Sequence, residues 1–555
     1  MSKWSKSKQT QLLNAGTLAL ESEKYDGAEA AFAEVLRYDE NNLQGRIGMG
    51  QVHEAKGEYE QALEQYQRVI ELAPDNPAGY TNSGDVYLAL HQYDDALKAY
   101  AQAIERMSEP SFGYWKRGNV FAEQQQYDKA VEMYRKALDH NPENTEAWYS
   151  LGMVYELIEK FEQALDCYDK LISLGRANSV AYYARAGIYL ILQRYEQALL
   201  DYDKVVEIDG GVIDGYWGRG LVYAEQEAYI EAIAEFSKAI ELEPTIPIVY
   251  NARGKMYFNQ EKYTQAQKDY CQAAELARSQ RDNEQEIVAL KGRILSLYFK
   301  EDYEELLMTL DRALVLDPKN VWVLNFKGNV LSEFAYNEDA VPLLERAASL
   351  DLSKHDNFSS IGWAFNHIGR AAEARHAYET AISLQEEDLW AHKGLANALD
   401  LLGETEAATD KYRYVIEKAE MRDLVSADDR SLIGWCQYKL GQYEEAEKIF
   451  EQSLSLNPNI ISTWFDLALS QMCGEKYSLG LLSYQRTLEM VARKHVLKRR
   501  GLLYVAMYDL KRAVTTEMRL TTVKEVQQAM NLLEMAWEQA KNNAASISVR
   551  TKLSA

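Results

Sequence analysis

Glycine recurs at a step of 34 residues through the first half of this chain: Gly16, Gly50, Gly84, Gly118 and Gly152, then Ala186, Gly220 and Gly254. A second ladder, Ala28, Ala62, Ala96, Ala130, Ala164, Ala198, Ala232 and Ala266, keeps the same step. A third is aromatic: Phe32, Tyr66, Tyr100, Tyr134, Tyr168, Tyr202, Phe236 and Tyr270. A period of this length restricts the chain to stacked copies of one small unit. Within a unit, Trp148, Leu151, Gly152 and Tyr155 fall on one helical face, and Ala164, Tyr168 and Leu171 on another. Each unit therefore reads as two short antiparallel helices, with small residues where the backbones approach and an aromatic filling the seam. One such hairpin cannot bury its own apolar face, so the units must stack.

Composition agrees with an all-helical chain. Only 9 prolines occur in 555 residues, and proline is excluded from helix interiors. Tyrosine (38) outnumbers phenylalanine (13), which suits rings that are buried while their hydroxyls reach a polar partner. The net charge of −24 disfavours general binding to phosphate backbones. Cys167, Cys271, Cys436 and Cys473 are far apart, which points to a reducing, cytoplasmic setting. No apolar run reaches the ~18 residues of a membrane span.

The run from Trp148 to Tyr155, followed by Ala164 and Tyr168, resembles the tetratricopeptide repeat (TPR) family. Pro74, Pro142, Pro244, Pro318 and Pro458 stand where that family ends its second helix. The resemblance covers roughly residues 9–494 and implies an all-α solenoid, a right-handed superhelix of about fourteen repeats. The register slips by a few residues twice, at 281–286 and 423–426. The expected organisation is a flexible 1–8, a first block 9–280, the polar insert 281–286 and a second block 287–422. The insert 423–426, a third block 427–494, capping helices 495–541 and a tail 542–555 follow. Each insert should lengthen a helix or loop. Pro342 should make its helix start late or bend, and Thr522 with Glu525 spells a capping box.

Chemistry is nearly absent from the sequence. The eight histidines share no repeat position, and no phosphate-binding glycine loop is present. The expectation is a non-enzymatic protein with no catalytic residue, metal, cofactor or small-molecule substrate. Arg117, Arg185, Arg219, Arg253 and Arg293 recur beside the small-residue position. Asp201, Glu235 and Asp269 lie sixteen residues beyond the second to fourth, so ion pairs within a hairpin are expected. Arg117 has Met133 at the matching place and no such partner.

The strongest binding signal is a row, Trp115, Tyr149, Tyr183 and Trp217, each directly after a core aromatic. The family resemblance places this position on the concave groove. One turn on lie uncharged Asn119, Met153, Gly187 and Leu221. The implied partner is a protein or peptide segment held in that groove by a scaffold or adaptor. Some TPR proteins clamp a chaperone's C-terminal carboxylate with Lys and Asn; here only Lys393 and Asn397 match the first pair, so that device is not expected.

Two alternatives accompany this reading. One is a peptide-sensing regulator acting through the break at 281–286. The other uses a charge reversal near the C-terminus, where Arg493, Lys494, Lys498, Arg499 and Arg500 could meet an acidic partner or nucleic acid. Self-association is left open.

Overall fold

A computed structural model describes residues 6–175, 179–421 and 426–545. Among these residues the regular elements are thirty α-helices and one short 3-10 segment, with no strand. The first twenty-eight helices form fourteen hairpins, so the all-α TPR solenoid architecture is the one observed. The chain divides into two compact units, Met1–Pro244 and Thr245–Ala555. The first holds repeats 1 to 7. The second holds repeats 8 to 14 and two further helices, Val496–Thr516 and Lys524–Ala545.

Repeat 5 shows how the sequence makes a hairpin. Its first helix, Thr145–Leu157, starts where the Asn144 side chain accepts a hydrogen bond from the Ala147 amide at 2.9 Å. The chain reverses at Glu159, which takes φ = 57°, and the second helix runs Phe161–Ser173. Ala164 and Tyr168 are fully buried between the two. In repeat 4 a Cβ on Gly118 would come within 2.4 Å of the Tyr134 ring, so glycine is what lets the aromatic close the seam. The preference for tyrosine has a visible cause. Tyr100 donates to Asp85 at 2.5 Å, Tyr134 to Asn119 at 2.8 Å and Tyr412 to Asn397 at 2.7 Å. Each ring is buried while its hydroxyl binds the first helix of the same repeat.

The arginine ladder is paired as its spacing predicts. Arg185 meets Asp201 at 2.7 Å, Arg219 meets Glu235 at 2.8 Å and Arg253 meets Asp269 at 2.7 Å. Arg185 and Arg219 also reach back to the preceding repeat, to Asp169 at 2.5 Å and Asp203 at 2.8 Å. They therefore tie repeat to repeat as well as helix to helix. The Nε of Arg117 is buried without a hydrogen-bond partner. Asp201 is itself buried, so Asp201→Ala should leave Arg185 half-served and cost about 1.5–3 kcal/mol. A loss of unfolding free energy, read from urea titration, below about 0.5 kcal/mol would show the pair to be incidental.

The insert at 281–286 lengthens the helices around it. They run Tyr263–Gln280 and Asn283–Phe299, joined through Arg281 in the left-handed region at φ = 60°. Glu286, 1% exposed, receives Arg278 at 2.9 Å and Arg312 at 3.0 Å. Residues 423–425 of the other insert lie outside the described residues, and Ser426 caps helix Ala427–Lys439 by accepting from the Asp429 amide. Pro342 does not delay its helix, which runs Asn337–Leu350 around it. Early in a helix its missing N–H removes a single intrahelical bond. The Thr522–Glu525 capping box does not form, because 518–522 coils into the 3-10 segment and the helix begins only at Lys524.

The last two helices divide their labour. Lys524–Ala545 packs on the second helix of repeat 14 and caps the stack. Helix Val496–Thr516 instead turns back and lies along the first helices of repeats 10 and 14. The sequence reads both helices as caps, and the structure sends the first of them back across the stack.

Candidate functional site

Close approaches run between first helices of successive repeats, as between Ser111–Glu123 and Thr145–Leu157 or between Ser179–Ile191 and Asp214–Glu225. The first-helix side of the stack is thus the narrow side, and the aromatic row belongs to it. Trp115, Tyr149, Tyr183 and Trp217 are all half-buried. Three lean on the second-helix aromatic of their own repeat: Tyr149 on Tyr168 at 6.1 Å, Tyr183 on Tyr202 at 5.7 Å and Trp217 on Phe236 at 5.4 Å between centroids. Trp115 packs on Phe112 at 5.3 Å, and its indole N–H donates to Ser150 Oγ of the next repeat at 2.9 Å. Burial pushes the hydroxyls of Tyr149 and Tyr183 above the usual tyrosine range.

Of the neighbours expected beside the rings, Asn119 is committed to the Tyr134 hydroxyl, and Leu221 is half-buried. Met153 is 43% exposed, and four apolar side chains not singled out by the sequence reading accompany it. Phe112 is 45% exposed, Leu157 62%, Val180 43% and Ile191 55%. Tyr149, Met153 and Leu157 lie at i, i+4 and i+8, one stripe of one helix, and Tyr183, Gly187 and Ile191 repeat it. The signal for Leu157 and Ile191 was present as apolar residues one turn further along, at the same 34-residue step.

The basic end of the chain is arranged differently from a free cationic patch. Lys494 pairs with Glu301 at 3.3 Å and Lys498 with Glu333 at 2.7 Å. Arg500 donates to the Phe334 carbonyl and stacks 3.8 Å from the Tyr336 centroid. Arg499 is half-buried with its Nε unpartnered, and Arg493 is exposed. Further along, Tyr504 donates to the His367 carbonyl at 2.7 Å and Arg512 reaches Asp400 at 3.1 Å. The acceptors Glu333, His367 and Asp400 step by about one repeat each, so the return helix runs across successive first helices. Gly501 marks its closest approach: a Cβ there would sit 1.7 Å from the Glu333 carbonyl oxygen. The first-helix face of repeats 10 to 14 is therefore occupied by the chain's own helix. Lys393 and Asn397 lie under it, the lysine over the Trp390 and Trp435 rings and the amide oxygen accepting from Tyr412.

Known repeats match this geometry. A TPR repeat family model covers residues 50–90, 118–158 and 220–261. Two tetratricopeptide repeat models cover 428–460 and 77–106, 145–178, 179–211 and 248–280. The chain is a tetratricopeptide repeat protein. The TPR repeat-containing protein MJ1428 of Methanocaldococcus jannaschii is 22% identical over 213 residues, covering 36% of this TPR chain and 37% of that protein. The match thus spans little more than a third of that relative's length. Among solved structures, the APC/C hetero-tetramer Cut9–Hcn1 aligns over 91% of this chain and 96% of its own, at 16% identity and a TM-score of 0.46. YrrB, described as a TPR protein with an unusual peptide-binding site, aligns over 36% of this chain and 98% of its own, at 22% identity and a TM-score of 0.30. Among the described residues no group of His, Cys, Asp and Glu could hold a metal ion, and no helix is long and apolar enough to cross a membrane.

Proposed function

We propose that this TPR protein is a non-enzymatic scaffold or adaptor that holds a partner segment along the first-helix face of repeats 4 to 7. Trp115, Tyr149, Tyr183 and Trp217 would supply the anchors, with Met153 and Leu221 beside them and Asn119 at the edge. The observation that carries this reading is the exposed apolar strip of Phe112, Met153, Leu157, Val180 and Ile191 next to rings already held rigid by packing. Contiguous apolar surface of this kind on a soluble fold is the usual mark of an interaction site, and rigid aromatics lose little entropy on binding. The matching face of repeats 10 to 14, covered by the return helix, supports a helical segment as the occupant. The free thiols Cys167, Cys436 and Cys473, all buried, fit a cytoplasmic setting.

Display selection of helical peptides on the full chain tests the proposal. Selected peptides should carry apolar anchors on one face and lose affinity for the Trp115→Ala/Trp217→Ala double variant. Equal binding to that variant would remove the groove assignment.

A further inference from the structure

We propose that the second unit contains a site for a small organic cation, an ammonium or guanidinium group on an apolar or aromatic body. The site is a cavity of about 610 Å³ between the return helix and the first helices of repeats 10 to 14. That volume falls within the range of small-ligand pockets, ~300–1,000 Å³. Trp363, Trp390, Trp435 and Phe465 line it. Faces of such rings attract cations, and this cavity already holds one: the Lys393 ammonium lies 5.4 Å from the Trp390 centroid and 5.0 Å from that of Trp435.

The charges around the cavity are unevenly partnered. Glu333 is matched by Lys498, and Asp400 by Lys439 at 2.5 Å and Arg512 at 3.1 Å. Asp428 is exposed at the rim. His367 is held neutral: burial against Trp363 drives its pKa down to about 4. Three charged groups remain on the wall: Lys393 on repeat 12, Asp466 on repeat 14 and Asp509 on the return helix. Among the described residues neither aspartate receives a hydrogen bond, and neither lies within ion-pair distance of Lys393. Two carboxylates without a hydrogen-bond or ion-pair partner of their own face one ammonium, while the nearby cations Lys439 and Arg512 are both held by Asp400. Carboxylates and ring faces both call for a positively charged group.

Without a ligand, Asp466 carries a proton in place of a cationic partner. Burial, reinforced by Asp509, pushes Asp466 up to about 8, and burial lifts Asp509 to about 6, with Lys393, Lys439 and Arg512 opposing. An entering cation takes the place of that proton, so the proton on Asp466 leaves to solvent as the ligand binds. Affinity should therefore rise as pH climbs toward and past 8.

Calorimetry on the full chain with phenethylammonium and agmatine tests this. Saturable binding is expected, with close to one proton released per ligand near pH 7, read from two buffers of different ionisation heat. Affinity should increase roughly tenfold or more between pH 6.5 and 8.5. Asp466→Asn and Asp509→Asn should each weaken binding at least tenfold without lowering the melting temperature of the unliganded protein. Lys393→Met, which removes the competing internal cation, should strengthen it. Equal binding of the neutral isostere 2-phenylethanol, unchanged binding by the two asparagine variants, or no saturation by about 10 mM of either amine would overturn the site. Binding of a lysine-containing decapeptide in place of the free amines would overturn a small molecule as the occupant. The site lies wholly in the second unit, so its failure leaves the aromatic face of the first untouched.

Discussion

A chain ending at Arg493 should be recovered largely as aggregate, and its soluble fraction should bind a hydrophobic dye that the full protein excludes. The return helix buries Leu497, Leu503, Met507 and Leu510, and the last helix buries Val526 and Leu533. At about 1.5–3 kcal/mol for each fully buried large side chain, the gross loss is on the order of 10 kcal/mol. The unfolded chain hides part of that surface already, so this is an upper bound. Removal would also strip Glu333 of Lys498 and Asp400 of Arg512 on a face whose apolar residues become exposed. A gentler variant separates loss of the cap from loss of the return helix. Gly501→Leu leaves the last helix intact but places a side chain against the backbone of repeat 10. It should lift the return helix, exposing the segment around residue 493 to protease. An unchanged cleavage pattern and melting curve for Gly501→Leu would mean that the close approach is easily relieved.

The repeat architecture was legible because every hairpin solves the same packing problem with the same residues. Gly118 and Tyr134 carry the geometry of the seam in their identities, and Arg185 with Asp201 carries an ion pair in its spacing. What could not be read was contact across long separations. Lys498 and Glu333 are 165 residues apart and share no periodicity. The basic run was visible, yet composition cannot say whether positive side chains face a partner or the protein's own acids. The capping box failed for a related reason: Thr522 has the right neighbours, but it is drawn into the 3-10 turn and the helix starts only at Lys524. In the aromatic row, equal offsets correctly imply equivalent points on equivalent helices. They do not reveal how deeply each ring sits, and here all four are half-buried rather than fully presented.

That depth changes what should happen when Trp115 and Trp217 are replaced together by alanine. If both rings anchored a partner and nothing else, only affinity would fall. Trp115, however, rests on Phe112 and donates to Ser150, and Trp217 rests on Phe236. Fully buried tryptophans cost about 3–5 kcal/mol on truncation, so half-buried ones should cost about 1–2 kcal/mol each. The double variant should therefore melt earlier and, at a temperature where it is still folded, bind a selected helical peptide at least about thirtyfold more weakly. Thirtyfold corresponds to about 2 kcal/mol, a modest demand on two aromatic anchors. Because stability and affinity both move, a second variant is needed to separate them. Leu157 and Ile191 are the most exposed members of the strip, and changing exposed side chains usually alters stability by no more than about 0.5 kcal/mol. Leu157→Glu/Ile191→Glu should leave the melting curve in place while putting two carboxylates where an apolar partner must lie, costing a similar thirtyfold or more. If the tryptophan variant melts early yet both variants bind the peptide normally, the rings serve the stack alone and the strip is not the docking face.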